Sequence, residues 1–78
     1  MDLERIPFRV ALGAEIRRLR KEKNMTQKEL AIAVGVTKQA VCMIEGGRRS
    51  PAQSKYGNFA LVLGVEPSHF WEAAYAQN

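Results

Sequence analysis

One stretch of this chain, Thr37-Lys38-Gln39-Ala40-Val41-Cys42-Met43-Ile44, sorts its chemistry onto two sides of a helix. At about 100° per residue, Thr37, Val41 and Ile44 fall on one side with Ala40 beside them, while Lys38, Gln39, Cys42, Met43 and Gly46 fall on the other. The first set is a core face. The second carries one cation, one amide, a thiol, a thioether and a glycine, where a solvated helix normally carries several flexible charges. A lysine donates to guanine O6 and N7, a glutamine pairs with adenine N6 and N7 through two hydrogen bonds, and an apolar thioether suits a thymine methyl. Each residue has a plainer reading as well. Lys38 could touch only phosphate, Gln39 could be an incidental surface amide, and Met43 could pack beneath the helix. Cys42 reads as a small groove-facing spacer rather than a redox sensor.

Covalent chemistry is poorly provided for. The chain has one histidine, His69, and one cysteine, Cys42. It shows no nucleophile–base pattern, no Gly-rich phosphate loop and no metal-ligand spacing. His69 falls in the first turn of the last expected helix and reads as a surface residue. The expectation is therefore no enzyme, no cofactor, no metal and no small-molecule ligand. The single thiol cannot close an internal disulfide and points to a reducing compartment. The start, Met1-Asp2-Leu3-Glu4-Arg5, carries acid and lacks the apolar core of a signal peptide. The longest apolar run, Phe59 to Val65, is far short of the roughly 20 residues that cross a bilayer. A cytoplasmic protein with no membrane partner is the reading.

The charge is unevenly spread. All twelve Lys and Arg, and six of the eight acids, fall within residues 1–55, leaving that stretch six positive charges. Residues 56–78 hold no Lys or Arg, two acids and five of the six aromatics. One part is suited to a polyanion, the other to packing or self-association. Charge alone does not separate this from ordinary solvation of helix faces, so position has to decide.

The elements that must position these groups are all helical. Pro7 suits a first turn, and Phe8, Leu12, Ile16 and Leu19 recur at helical spacing until about Lys23-Asn24. Gly13 is a weak spot that could delay the start of this helix. Thr26-Gln27-Lys28-Glu29 has the capping-box pattern and opens a second helix carrying Leu30, Ala31 and Val34 to a stop at Gly35. Thr37 caps a third helix that runs to Glu45 and ends at Gly46-Gly47. Arg48-Arg49-Ser50-Pro51 is a basic loop, with Pro51 fit to start a fourth helix through Leu63. Pro67 starts a fifth containing Phe70, Trp71 and Ala74. No stretch alternates as a strand would. The fold class expected is all-α, a compact five-helix bundle in one domain spanning residues 1–78.

Two short helices joined by a tight glycine-containing turn, Thr26 to Glu45, follow the helix-turn-helix plan. At this point the chain resembles a known family. The ordered set Leu12-Gly13, Ile16, Leu19-Arg20-Lys21-Glu22, Met25-Thr26-Gln27, Glu29-Leu30-Ala31, Gly35-Val36-Thr37, Ile44-Glu45, Gly47, Arg49, Pro51, Ala60 and Leu63-Gly64-Val65 is similar to the Cro and phage-repressor (lambda-repressor-like) domain. The match covers about 12–71, with 1–9 an extension outside it and 72–78 a tail. The resemblance implies that Lys38, Gln39 and Met43 read bases, with Cys42 adjoining them. It places Gln27, Thr37, Arg48 and Arg49 on the DNA backbone, with Gln27 also bracing the third helix. It pairs Arg20 with Glu45 to tie the first helix to the third.

Some residues depart from the pattern. Ile32 and Ala33 stand where charges are usual, Leu61 replaces a common lysine, Gln53 holds a place usually aliphatic, and Gly57 weakens the fourth helix. These changes move apolar surface outward, making Leu61, Trp71 and Tyr75 candidates for a homodimer interface against the alternative of ordinary core or isolated apolars. The function read from the sequence is a double-stranded-DNA-binding transcriptional regulator, a repressor acting as a dimer on an inverted repeat. The alternative is a protein-interaction module on the same fold, such as a toxin-neutralising antitoxin with secondary DNA binding.

Overall fold

A computed structural model of the chain describes residues 7–76. Its order is α1 (Phe8–Glu22), α2 (Gln27–Val34), α3 (Lys38–Glu45), a single 3-10 turn (Gln53–Lys55), α4 (Tyr56–Leu63) and α5 (Ser68–Ala76). Among the described residues there is no strand. Residues 1–6 of the expected extension and 77–78 of the expected tail lie outside the described residues.

The helix ends follow local chemistry. Thr26 Oγ1 accepts from the Glu29 N–H at 3.0 Å while Glu29 Oε1 accepts from the Thr26 N–H at 2.8 Å, closing the capping box that starts α2. Thr37 Oγ1 accepts from the Ala40 N–H at 3.0 Å at the start of α3. Gly35 ends α2 at φ 89°, a left-handed conformation that costs a residue with a Cβ but not glycine.

One dry cluster joins the helices. Leu12, Ile16 and Leu19 of α1 meet Leu30, Ala31 and Val34 of α2, Val41 and Ile44 of α3, Phe59, Ala60 and Leu63 of α4, and Phe70 of α5. Burying each Leu, Ile, Val or Phe contributes about 1.5–3 kcal/mol, and these contacts leave α3 only one orientation on the body of the protein.

Two local expectations are corrected. Gly13 neither interrupts nor delays α1, which begins at Phe8 directly after Pro7. It is the point where α1 and α3 touch backbone to backbone, since a Cβ there would stand 2.1 Å from the Ile44 carbonyl oxygen. Pro51 does not start α4. It is buried in the connection, followed by extended backbone at Ala52 (φ −58°, ψ 144°) and the 3-10 turn, so α4 begins at Tyr56. The chain must cross from the exit of α3 to α4, and a helix begun at Pro51 would not allow the extended step. Gln53 is exposed within that crossing, so no aliphatic side chain is needed there.

Candidate nucleic-acid interface

The outer face of α3 is open. Lys38, Gln39 and Cys42 are exposed and Met43 is half-buried, while Val41 and Ile44 on the opposite side are fully enclosed. Met43 therefore divides its side chain between packing and the outer face. Thr37 is exposed; its oxygen is occupied by the cap, and its O–H proton is left to donate outward.

What holds α3 in place is a polar junction under its C-terminal end. Arg20 Nε donates to Glu45 Oε2 at 2.6 Å and Arg20 Nη2 donates to Glu45 Oε1 at 3.0 Å, a two-pronged contact between side chains almost entirely removed from water. The third guanidinium nitrogen, Nη1, donates to the Met25 carbonyl at 2.7 Å. Gln27 Nε2 completes the set by donating to Glu45 Oε1 at 3.2 Å. The Glu45 hydrogen bonds hold the guanidinium in its charged form, raising the Arg20 pKa against the opposing effect of burial. Glu45 is thus gripped from α1 and from the first residue of α2 together. No buried side-chain nitrogen or oxygen among the described residues is left without a partner.

The connection leaving α3 is cationic. Arg48 and Arg49 are both exposed, and the Arg48 N–H donates to the Met43 carbonyl at 3.0 Å, wrapping the turn against the helix end. Gly47 sits in this turn at φ 75°, and a Cβ on it would stand 2.9 Å from Val10 Cγ2 of α1. Gly13 and Gly47 therefore bring α1 close on both sides of the α3 terminus.

Not every cation belongs to this face. The Lys23 ammonium lies beside Gly64 at the end of α4, 3.3 Å from where a Cβ would be. The Lys55 ammonium lies 3.5 Å from the corresponding point at Gly35, at the end of α2. Each positive charge stands at the negative end of a helix dipole, a stabilising position. Arg18 is held by Glu15, accepting at 2.6 and 2.8 Å, and also bonds Glu22. Glu15 accepts a further contact from His69 Nε2 at 2.6 Å, which ties α5 to α1. Arg18 lowers the Glu15 pKa most, burial opposes it, and His69 adds to the lowering. His69 is half-buried in this contact rather than a free surface residue. The Glu15–Arg18 spacing of three was visible in the sequence; the His69 partner, 54 residues away, left no local signal.

Among the apolar side chains, Leu61 is 82% and Tyr75 69% exposed, whereas Trp71 is 43% exposed. The Trp71 ring meets Phe8 and Tyr56 edge-on at centroid distances of 5.1 and 5.0 Å, and the three line a cleft of about 670 Å³ with Pro51, Gln53, Pro67 and Ser68. Trp71 is thus partly committed to the packing of its own chain. Among the described residues no group of three or more His, Cys, Asp or Glu could hold a metal ion, and no helix is long and apolar enough to cross a membrane.

Comparison with known proteins agrees with this geometry. A helix-turn-helix family model matches residues 16–70. A relative described as an HTH-type transcriptional regulator, from Methanothermobacter thermautotrophicus, is 47% identical over 51 residues, covering 65% of this chain and 74% of its own length. The crystal structure of the clp gene regulator ClgR from Corynebacterium glutamicum superposes with a TM-score of 0.87 at 27% identity, covering 94% of this chain and 78% of that one. The restriction-modification controller protein C.AhdI from Aeromonas hydrophila superposes with a TM-score of 0.75 at 29% identity, covering 80% of this chain and 94% of that one. Helix-turn-helix regulators bind DNA and are not enzymes. With its five-helix fold, its exposed α3 face and a family match over most of its length, this chain belongs to the Cro and phage-repressor type of helix-turn-helix DNA-binding regulators.

Proposed function

We propose that this chain is a sequence-specific repressor, acting in the cytoplasm as a homodimer on an inverted-repeat operator, with residues 1–78 forming a single domain around a core at 12–71. The observation that carries the reading is the open face of α3, with Lys38, Gln39 and Cys42 exposed on a helix locked from behind by Glu45, Arg20 and Gln27. The major groove of B-DNA is about 12 Å wide and admits an α-helix. Lys38 and Gln39, at the start of α3, reach base edges first, as helix-turn-helix docking requires. Lys38 donates to guanine, Gln39 makes the paired contact with adenine, and Met43 meets a thymine methyl, with Cys42 close by. Gln27, Thr37, Arg48 and Arg49 contact phosphates on either side of the groove and set the register.

One module this small makes few base contacts, and a two-fold dimer doubles them. The exposed Leu61 and Tyr75 supply apolar surface for it, together with the exposed part of Trp71. Repression follows by occlusion of the bound site. Selection of bound sequences from random duplex DNA tests the reading. The expected product is an inverted repeat whose half-site centres lie about 10 base pairs, or a near multiple, apart. Recovery of no preferred sequence would overturn it.

A further inference from the structure

Arg17 has no role in the contacts described so far, and its place on α1 singles it out. It lies two turns after Val10, the residue that meets Gly47, and one turn after Gly13, where α1 meets the Ile44 carbonyl. Three residues further on, Arg20 reaches Glu45. Residues 10, 13 and 20 all border the α1–α3 seam, and residue 17 falls on its outer, solvent side. Arg17 is exposed, and no carboxylate among the described residues is paired with it, whereas the neighbouring Arg18 is held by Glu15 and Glu22.

On the other side of the seam stands Arg48. Its Nε is 3.9 Å from the point a Cβ would occupy on Gly46, so this side chain folds back over the turn toward α3. At the turn, Gly46 has no side chain to hold a nucleic-acid backbone away, and Gly47 is buried against Val10 of α1. Gly46 is itself exposed. Two guanidinium groups on either side of an exposed glycine present paired N–H donors to an anion with oxygens on several sides, which is the chemistry of a phosphodiester.

We infer that Arg17 and Arg48 form a clamp across the Gly46-Gly47 turn that grips the DNA backbone from α1, adding a phosphate contact outside the helix-turn-helix unit. The clamp rests on the reading of the chain as a DNA-binding protein. It extends the backbone footprint without adding base readout, because α1 stands outside the groove.

The experiment is a salt titration of duplex binding by the full chain and by Arg17→Ala and Arg17→Lys, on the selected site and on an unrelated duplex. Loss of one phosphate contact per subunit makes the slope of log K against log[salt] shallower by about 0.9 per subunit. The penalty of Arg17→Ala therefore shrinks about three- to fourfold per subunit between roughly 50 and 200 mM salt, equally on both duplexes. Arg17→Lys retains the slope. An unchanged slope in Arg17→Ala, with or without a loss of affinity, overturns the clamp while leaving the DNA-binding reading intact. A loss confined to the selected site overturns it too, since that would make Arg17 a reader of sequence. Failure of the unaltered chain to bind either duplex overturns the DNA-binding reading and the clamp with it.

Discussion

Gly13 of α1 lies directly against the carbonyl oxygen of Ile44 of α3, with room for a hydrogen and nothing larger. Alanine is favoured over glycine inside a helix by about 1 kcal/mol, so propensity alone would make Gly13→Ala stabilising. The opposite is expected. Backbone cannot yield as a flexible side chain would, so α1 and α3 must separate and disturb both the core and the Arg20–Glu45 contact. Chemical denaturation should show a loss of about 1–3 kcal/mol or more, the usual cost of overpacking. A neutral or stabilising result would mean that the helices are not in contact there.

A second expectation concerns Arg20 and Glu45. Removing either partner strands the other in a buried site and should cost about 3–5 kcal/mol. A double-mutant cycle with Arg20→Met and Glu45→Gln should give a double variant less destabilised than the sum of the single ones. Strictly additive losses would show that the pair contributes no coupling.

Reading and gripping should separate by mutation. Gln39→Ala should cost about 1–3 kcal/mol on the preferred site and relax one base position. Arg49→Ala should weaken all sequences about equally. Unchanged sequence preference in Gln39→Ala would remove it from the readers.

The proposed dimer contact sets Leu61 and Tyr75 apart from Trp71. Leu61→Ser and Tyr75→Ser alter exposed side chains and should shift sedimentation toward monomer with little change in thermal stability. Trp71→Ser should lower stability as well, because its ring packs on Phe8 and Tyr56. Leu61→Ser and Tyr75→Ser chains that remain fully dimeric would place the interface elsewhere.

Glu15 sets an acid limit. Its folded pKa lies below the ordinary glutamate value of 4.5, chiefly because Arg18 bonds the carboxylate. The stability this contributes is complete above 4.5 and is lost as pH falls through the folded value. Thermal unfolding followed from neutral pH downward should show Glu15→Gln less acid-sensitive than the unaltered chain. Parallel curves would show that Glu15 does not titrate differently in the folded state.

Much of the architecture was legible because it is written locally. Thr26 and Glu29 cap α2 with each other, Thr37 caps α3, and the apolar spacing of α1 needs only its own residues to be recognised. What stayed hidden depends on partners distant in the chain. Gly13 looks like a defect until Ile44 is brought against it, and His69 looks solvated until Glu15 is beneath it. Lys23 and Lys55 counted toward a polyanion-binding charge, although each stands at the end of another helix. Pro51 misled for a related reason, since a proline compatible with a helix start is equally compatible with extended backbone. The outward face of α3 was readable from its own periodicity, whereas its bracing by Arg20 and Gln27 was legible only through the family resemblance, since these residues join Glu45 only in three dimensions.

That bracing has a thermodynamic consequence. Glu45 is fixed from two separate segments before any ligand arrives, so the helix that carries Lys38 and Gln39 does not have to be ordered on contact. Association with a duplex then carries little folding of its own. Its heat-capacity change should match the surface buried at the interface, without the excess that accompanies a segment folding as it binds. Discrimination between sites would come from the base edges and the deformability of the DNA, presented to a rigid template.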